Sequence, residues 1–137
     1  MAARGVRSTA LLACWLAAAL MLAQASAATE VPALQPQRLA EGAWFVQGDS
    51  ALGSAANRNF ISNAGFVVTD AGVVVIDALG SPALGQALID AIKRLTTQPI
   101  RHVIVTHHHA DHIYGVQAFK AAGATIWAHQ AGREYLA

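Results

Sequence analysis

The chain has 137 residues, which is enough for at most one domain, and its nine Lys and Arg residues nearly balance eight Asp and Glu residues. The formal net charge of +1 excludes a function in which nucleic acid or an anionic membrane is bound mainly through charge. Apolar residues make up 55% of the chain and charged residues only 12%, which predicts more buried sheet than a chain of this length covers by itself.

The first 27 residues show the three-part pattern of a secretory signal peptide. Arg4 and Arg7 precede an apolar run over residues 10–23, and the small residues 25–27 follow it. This run of 14 residues is shorter than the ~20 needed to cross a bilayer. We therefore predict a signal peptide over residues 1–27, a secreted or periplasmic protein, and no membrane partner once the leader is removed.

Cys14, the only cysteine, lies inside the predicted leader. Its loss on cleavage would leave the protein without disulfide or thiol chemistry. The alternative is a lipoprotein acylated at Cys14, which the nine further apolar residues after it disfavour. Removal of the two leader arginines would also change the formal net charge from +1 to −1.

The rest of the chain is predicted to be a linker over residues 28–37, which contains two prolines, and one domain over residues 38–137. Short apolar runs bounded by turn-forming residues predict strands in the first part of this domain, arranged as two hairpins or a meander. These strands lie at residues 44–46, 60–61, 66–68 and 73–76. Residues 48–59 are rich in Gly, Ser, Ala and Asn and predict a loop.

The second part of the domain alternates helices and strands. Ser81 and Pro82 are typical of a helix N-terminus, apolar residues then recur at helical spacing, and Pro99 ends the pattern. The elements that follow are a strand at residues 103–105, a helix at 113–122 and a strand at 125–127. Strands connected through a helix pair in parallel, so the sequence predicts an α/β fold.

Histidines are concentrated where the strand at 103–105 ends. In an open α/β sheet, ligands bind beyond the carboxyl ends of the strands. His107 and His109 are two residues apart and are expected to project to one side, and Asp111 and His112 add an oxygen and a nitrogen ligand. We therefore predict that these four residues bind metal. Their chemistry suits zinc, although iron or manganese would also accept it.

Other residues near this segment have simpler roles. Asp77 ends the neighbouring parallel strand and is expected to hydrogen-bond the histidine segment without touching metal. Asp111 also lies where a helix N-cap belongs, which is the alternative to a ligand role. His108 is expected to be a neighbour of the site, and His102 and His129 are expected to be structural.

The run from Thr106 to His112 resembles the His-x-His-x-Asp-His signature of the metallo-β-lactamase fold superfamily. Asn63, the Asp-Ala-Gly turn at 70–72 and the strand ending at Asp77 agree with it upstream, whereas residues 78–80 read Ala-Leu-Gly where the family often has Thr-Gly. The resemblance covers residues 38–137. It implies the αββα sandwich of that superfamily, an α/β (α+β) fold, of which this chain is the first half only.

The resemblance implies an exported hydrolase with two zinc ions in the complete site. His107 and His109 would bind the first ion and Asp111 and His112 the second, with Asp111 as the candidate catalytic residue. A metal-bound hydroxide would attack a carbonyl-type small-molecule substrate, because zinc lowers the pKa of bound water to about 7. The flap that members of the family often have over the substrate corresponds to the loop at 48–59, which makes Asn57 and Arg58 candidates for substrate contact.

The same resemblance leaves the substrate open among β-lactams, thioesters and sulfur compounds. The exported zinc metallohydrolases associated with quinoprotein and sulfur-oxidation systems are also similar to this chain. An iron-dependent sulfur dioxygenase of the same fold is the alternative chemistry.

The family's second half supplies a further histidine, a bridging aspartate and a last histidine, and no Asp follows His112 in this chain. We therefore expect an N-terminal fragment that is inactive alone and whose partner is the missing C-terminal half. The alternative that is not an enzyme is a non-catalytic truncated fragment.

Overall fold

The computed structural model describes residue 31 and residues 33–135. The predicted leader at residues 1–27 lies outside the described residues, as does the start of the predicted linker. Within the described part of the chain, no helix combines the length and the apolar character that crossing a membrane requires.

Six strands form one sheet whose spatial order is the order of the chain. They are β1 (Gln37–Ala40), β2 (Ala43–Val46), β3 (Ala64–Thr69), β4 (Gly72–Ile76), β5 (Ile100–Val105) and β6 (Thr125–Ala128). The first four strands pair in antiparallel fashion, and β4, β5 and β6 pair in parallel. The predicted α/β class and the parallel pairing of the later strands are therefore confirmed.

The first helix, α1 (Pro82–Leu95), connects β4 to β5. The Ser81 hydroxyl accepts a hydrogen bond from the backbone N–H of Leu84 at 3.1 Å, which satisfies one of the donors left free at a helix start. The helix ends at Leu95, and the backbone of its C-cap residue, Thr96, is extended. Its buried residues recur at helical spacing and are Leu84, Gly85, Leu88, Ile89, Ala91 and Ile92.

The hydrophobic core lies between α1 and one face of the sheet. Successive side chains of a strand point to opposite faces of the sheet, so residues that are aligned across neighbouring strands form a row on one face. One such row faces α1. Phe66, Val75 and Val103 are aligned across β3, β4 and β5 and are fully buried. Phe119, on a later helix, completes the core on this side.

The opposite face of the sheet also carries an apolar row, called here the apolar strip. It consists of Phe45, Ile76, Ile104 and Trp127, which are aligned across the sheet through Gly65. Ile104 is 43% exposed and Trp127 is 55% exposed. Large apolar side chains aligned on an exposed face mark a surface that packs against something else.

Two strand predictions differ from the structure. Residues 60–61 were expected to form a strand, but the backbone N–H of Phe60 bonds to the carbonyl of Asn57 at 2.9 Å, so this segment continues the loop. Strand β1 was not predicted, because its four residues are all exposed and show no apolar alternation. Its position depends on pairing with β2.

The single helix predicted at residues 113–122 is two short helices, α2 (Ala110–Ile113) and α3 (Val116–Ala121). The break lies at Gly115, whose backbone N–H donates to the carbonyl of Leu79 at 2.9 Å instead of continuing α2. The residue before α2 is His109, so Asp111 lies in the first turn and is not the N-cap.

Gly115 also lies in unusually close contact with the chain after β4. A Cβ atom there would be 1.8 Å from the carbonyl oxygen of Ala78, and one on Gly85 would be 2.5 Å from the carbonyl oxygen of Gly115. The backbone N–H of Ala78 in turn donates to the carbonyl of His112 at 2.9 Å. These contacts fix the histidine segment against the end of β4.

We predict that Gly115→Ala destabilises the protein by about 3 kcal/mol, the upper end of the usual cost of overpacking, because the atoms in the way belong to backbone. Urea unfolding followed by circular dichroism measures this. Gly132→Ala is the matched control, since nothing lies within 4 Å of a Cβ there. Equal stability of the two variants would contradict the prediction.

Candidate metal centre

The centre is built on Asp77, the residue that follows β4. Asp77 is only 5% exposed and has a left-handed backbone with φ of +60°. Its backbone N–H donates to the carbonyl of Ile104 on β5 at 2.9 Å. A buried carboxylate is stable only when hydrogen-bond donors surround it, and the neighbouring strand end supplies them.

Thr106, directly after β5, gives Asp77 two hydrogen bonds. Its backbone N–H donates to one carboxylate oxygen at 2.8 Å, and its hydroxyl donates to the other at 2.7 Å. Both oxygens are thereby tied to the end of β5. The carboxylate is held in one orientation between the two parallel strands.

His112, on α2, is the third partner of Asp77. Its Nδ1 atom lies 2.8 Å from Oδ2 of Asp77. The carboxylate can only accept, so Nδ1 carries the proton and Nε2 of the neutral imidazole keeps its lone pair. A histidine fixed in this way by a carboxylate presents its other nitrogen to a metal.

His107 is fixed by the same carboxylate through Thr106. The Thr106 hydroxyl lies 2.9 Å from Nδ1 of His107, and its single hydrogen is already directed to Asp77. The hydroxyl therefore accepts from Nδ1–H, which leaves the lone pair of His107 on Nε2. One buried carboxylate thus sets the tautomer of two imidazoles.

The four predicted ligands lie together. The ring centroids of His107 and His109 are 4.7 Å apart, and those of His107 and His112 are 4.1 Å apart. One carboxylate oxygen of Asp111 is 3.4 Å from Nε2 of His112. A group of imidazole nitrogens with an adjacent carboxylate is a donor set that accepts zinc, iron or manganese.

Among the described residues, one group of three possible ligand atoms lies within 4.8 Å of one another, and it comes from Asp77, His107 and His112. His109 and Asp111 are not part of this group. The two Asp77 oxygens already accept three hydrogen bonds, from Thr106 and His112. Their arrangement suits a residue that holds the ligands in place.

The other histidines differ in their distance from the predicted ligands. His108 stacks on Tyr135, with ring centroids 4.0 Å apart, and its ring centroid lies 5.1 Å from that of His109. Together with His107, it lines a cavity of about 280 Å³ between the ends of β5 and β6. His129 lines the same cavity, and its Nδ1 accepts from the backbone N–H of Ala131 at 3.2 Å. His102, at the other end of β5, accepts from the indole N–H of Trp127 at 3.0 Å.

Two residues contribute to the centre in ways that the sequence analysis missed. Thr106 was noted only as part of the motif, although a hydroxyl at the end of a buried strand and next to a histidine is a signal that could have been used. The Ser62 hydroxyl donates to the backbone carbonyl of Asp111. Ser62 lies 49 residues before Asp111, and nothing in the local sequence indicates this contact.

The candidates for substrate contact, Asn57 and Arg58, belong to the loop before β3. Both line a separate cavity, and none of the four predicted ligands does. The side chain of Asn57 is occupied within its own loop, since its amide nitrogen donates to the carbonyl of Leu52 at 2.9 Å.

Comparison with known proteins agrees with this geometry. Residues 57–136, more than half of the chain, match the family model of the metallo-beta-lactamase superfamily. The chain belongs to that superfamily, and its structure is part of the corresponding fold. A search of curated proteins finds no match.

Solved metallo-beta-lactamases share the fold. A structure from Erythrobacter litoralis is 23% identical with a TM-score of 0.62, and FIM-1 from Pseudomonas aeruginosa, in a mono-zinc form, is 21% identical with the same score. TMB-1 is 21% identical with a TM-score of 0.61. The similarity covers 77% of this chain but only 45–47% of theirs, so the chain spans about half of their length.

We predict that Thr106→Val weakens zinc binding by about tenfold, because the link between His107 and Asp77 is lost while the side-chain volume is kept. Thr106→Ser retains the hydroxyl and is expected to bind within about twofold of the unmodified chain. Competition with a chromophoric chelator measures both affinities. Equal affinities of the two variants would show that the hydroxyl does not position His107.

Proposed function

We propose that this chain is the first half of an exported, zinc-dependent metallohydrolase acting on a small molecule. The observation that carries the proposal is the shared anchoring of His107 and His112 by Asp77, directly and through Thr106. Fixing two neighbouring imidazoles in the same tautomer leaves the Nε2 lone pair of each free to bind a metal. Export rests on the leader-like residues 1–27.

The residues fit a metal site of one or two zinc ions. His107 and His109 would hold one ion and Asp111 and His112 the other, with Asp111 as the catalytic candidate. Zinc supplies an activated water and polarises a carbonyl or related group of the substrate. The chain's own contribution is to hold the donors rigidly, which it does through Asp77 and through the Ser62 contact with the Asp111 backbone.

The second half of the fold is the proposed partner of the apolar strip. The strip lies on the sheet face opposite α1 and includes Ile104 and Trp127, which are both substantially exposed. Ile76 of the strip directly precedes Asp77, so a partner packed on this face would lie beside the metal centre. It would supply the remaining ligands and cover the strip at once.

We predict that the chain binds zinc and that His107→Ala and His112→Ala each lower the affinity by more than about tenfold. His129→Ala is the matched control, because this histidine follows the neighbouring strand but bonds to Ala131 instead. Isothermal titration calorimetry measures the affinities. An equal loss of affinity in all three variants would indicate nonspecific binding by histidines. Preferential binding of iron, together with oxygen consumption, would favour an oxygenase instead of a hydrolase.

We also predict that the zinc-loaded chain alone hydrolyses neither a chromogenic β-lactam nor an acyl thioester above the background of the zinc-free chain. The reason is that ligands from the second half of the fold are needed to complete the site. Absorbance assays measure both reactions. Zinc-dependent turnover by the chain alone would contradict the proposal that a second half is required.

A further inference from the structure

One cavity of the described residues is separate from the metal centre. It has a volume of about 460 Å³, within the usual range for small-molecule sites. Its walls come from the segment before β1, the end of β2, the loop before β3 and the first turn of α1. Most of this lining is apolar, and it includes Leu34, Val46, Phe60 and Leu84.

Arg58 is the one basic residue of this lining, which also includes the acidic residue Asp49. Among the residues that the structure describes, its Nη1 atom is the one buried side-chain donor without a hydrogen-bond partner. A buried charged donor that makes no hydrogen bond is costly, and an anion is the partner that removes this cost. The backbone at Arg58 is also left-handed, with φ of +53°, so the loop adopts an unfavourable conformation there.

The walls of the cavity are fixed by hydrogen bonds. Arg94 of α1 donates to the carbonyl of Leu34 at 2.8 Å, which holds the segment before β1. The Asn57 side-chain oxygen accepts from the backbone N–H groups of Ser54 at 2.9 Å and Asn59 at 3.1 Å. The backbone N–H of Asp49 donates to the carbonyl of Phe60 at 2.8 Å. A preformed cavity loses little entropy when a ligand enters.

The loop before β3 lines both the cavity and a smaller pocket that includes Asp111. Arg58 and Phe60 line the cavity, whereas Asn59 and Ile61 line a smaller pocket with Asp111. A ligand in the cavity therefore contacts none of the four predicted metal ligands. Its binding can be tested without metal.

We propose that this cavity binds a small amphipathic monocarboxylate. The apolar tail would pack against Val46, Phe60 and Leu84, and the carboxylate would accept hydrogen bonds from Arg58. A single guanidinium matches one negative charge. Asp49 also lines the cavity and would repel a dianion such as a phosphate monoester.

The test compares three probes with the same eight-carbon tail: octanoate, octanol and octyltrimethylammonium. Isothermal titration calorimetry with the metal-free full chain is expected to show that octanoate binds about tenfold tighter than octanol, the gain of a charge-assisted hydrogen bond. The cationic probe is expected to bind most weakly. Equal affinities of octanoate and octanol would overturn the proposal, since the cavity would then be only an apolar surface.

Two substitutions locate the carboxylate. Arg58→Gln should abolish the preference for octanoate and leave octanol binding unchanged. Asp49→Asn changes another polar group of the same cavity and should leave octanoate binding as tight or tighter, because a repelling charge is removed. A preference for octanoate that survives Arg58→Gln would place the carboxylate elsewhere and overturn the proposal.

A third substitution locates the tail. Ala33 is exposed and lines the cavity, so Ala33→Trp fills the space without disturbing the core. Both octanoate and octanol should then lose at least about tenfold in affinity, while the circular dichroism spectrum stays unchanged. Unchanged affinity for both probes in a folded Ala33→Trp variant would show that they bind outside the cavity.

Discussion

The geometry of the metal centre depends on one buried carboxylate. Asp77 accepts hydrogen bonds from the Thr106 backbone, the Thr106 hydroxyl and the His112 imidazole. A carboxylate that is removed from water needs such donors. The hydrogen bonds therefore also fix the positions of the donor groups, Thr106 and His112. The ends of β4 and β5 and the start of α2 are connected at this point. His107 is held by the same group through one hydroxyl.

The half of the fold that this chain forms therefore positions the predicted metal ligands. All four predicted ligands come from residues 107–112, on a segment that is fixed by Asp77 beneath it and by the close contact of Gly115 with Ala78. Among the described residues, α1 and Phe119 cover one face of the sheet that carries the segment, and Ile104 and Trp127 are exposed on the other. Ile76 of the apolar strip directly precedes Asp77, so the strip and the centre are adjacent. The chain spans about half the length of the metallo-beta-lactamases it resembles.

Much of this could be predicted from the sequence, because the relevant signals are local. The helix α1 follows from its N-cap, its proline and its apolar spacing, and the parallel strands follow from its position between them. The proximity of the ligands follows from their spacing along a few residues after a buried strand. Asp77 was placed near them because parallel strands end at the same edge of a sheet.

Only the tertiary structure decided the contacts between residues that are distant in sequence. Thr106 and His112 bond to Asp77 across 29 and 35 residues, and local patterns carry no information on such pairings. The helix predicted at 113–122 breaks because Gly115 bonds to Leu79, and the Arg58 cavity exists because four separate segments meet there. Local propensity in the sequence determined strands β2 to β6, the first helix and the residue types of the centre. Only packing determined which hydrogen-bond partners those residues found, because a buried polar group takes whichever partner the fold brings within reach.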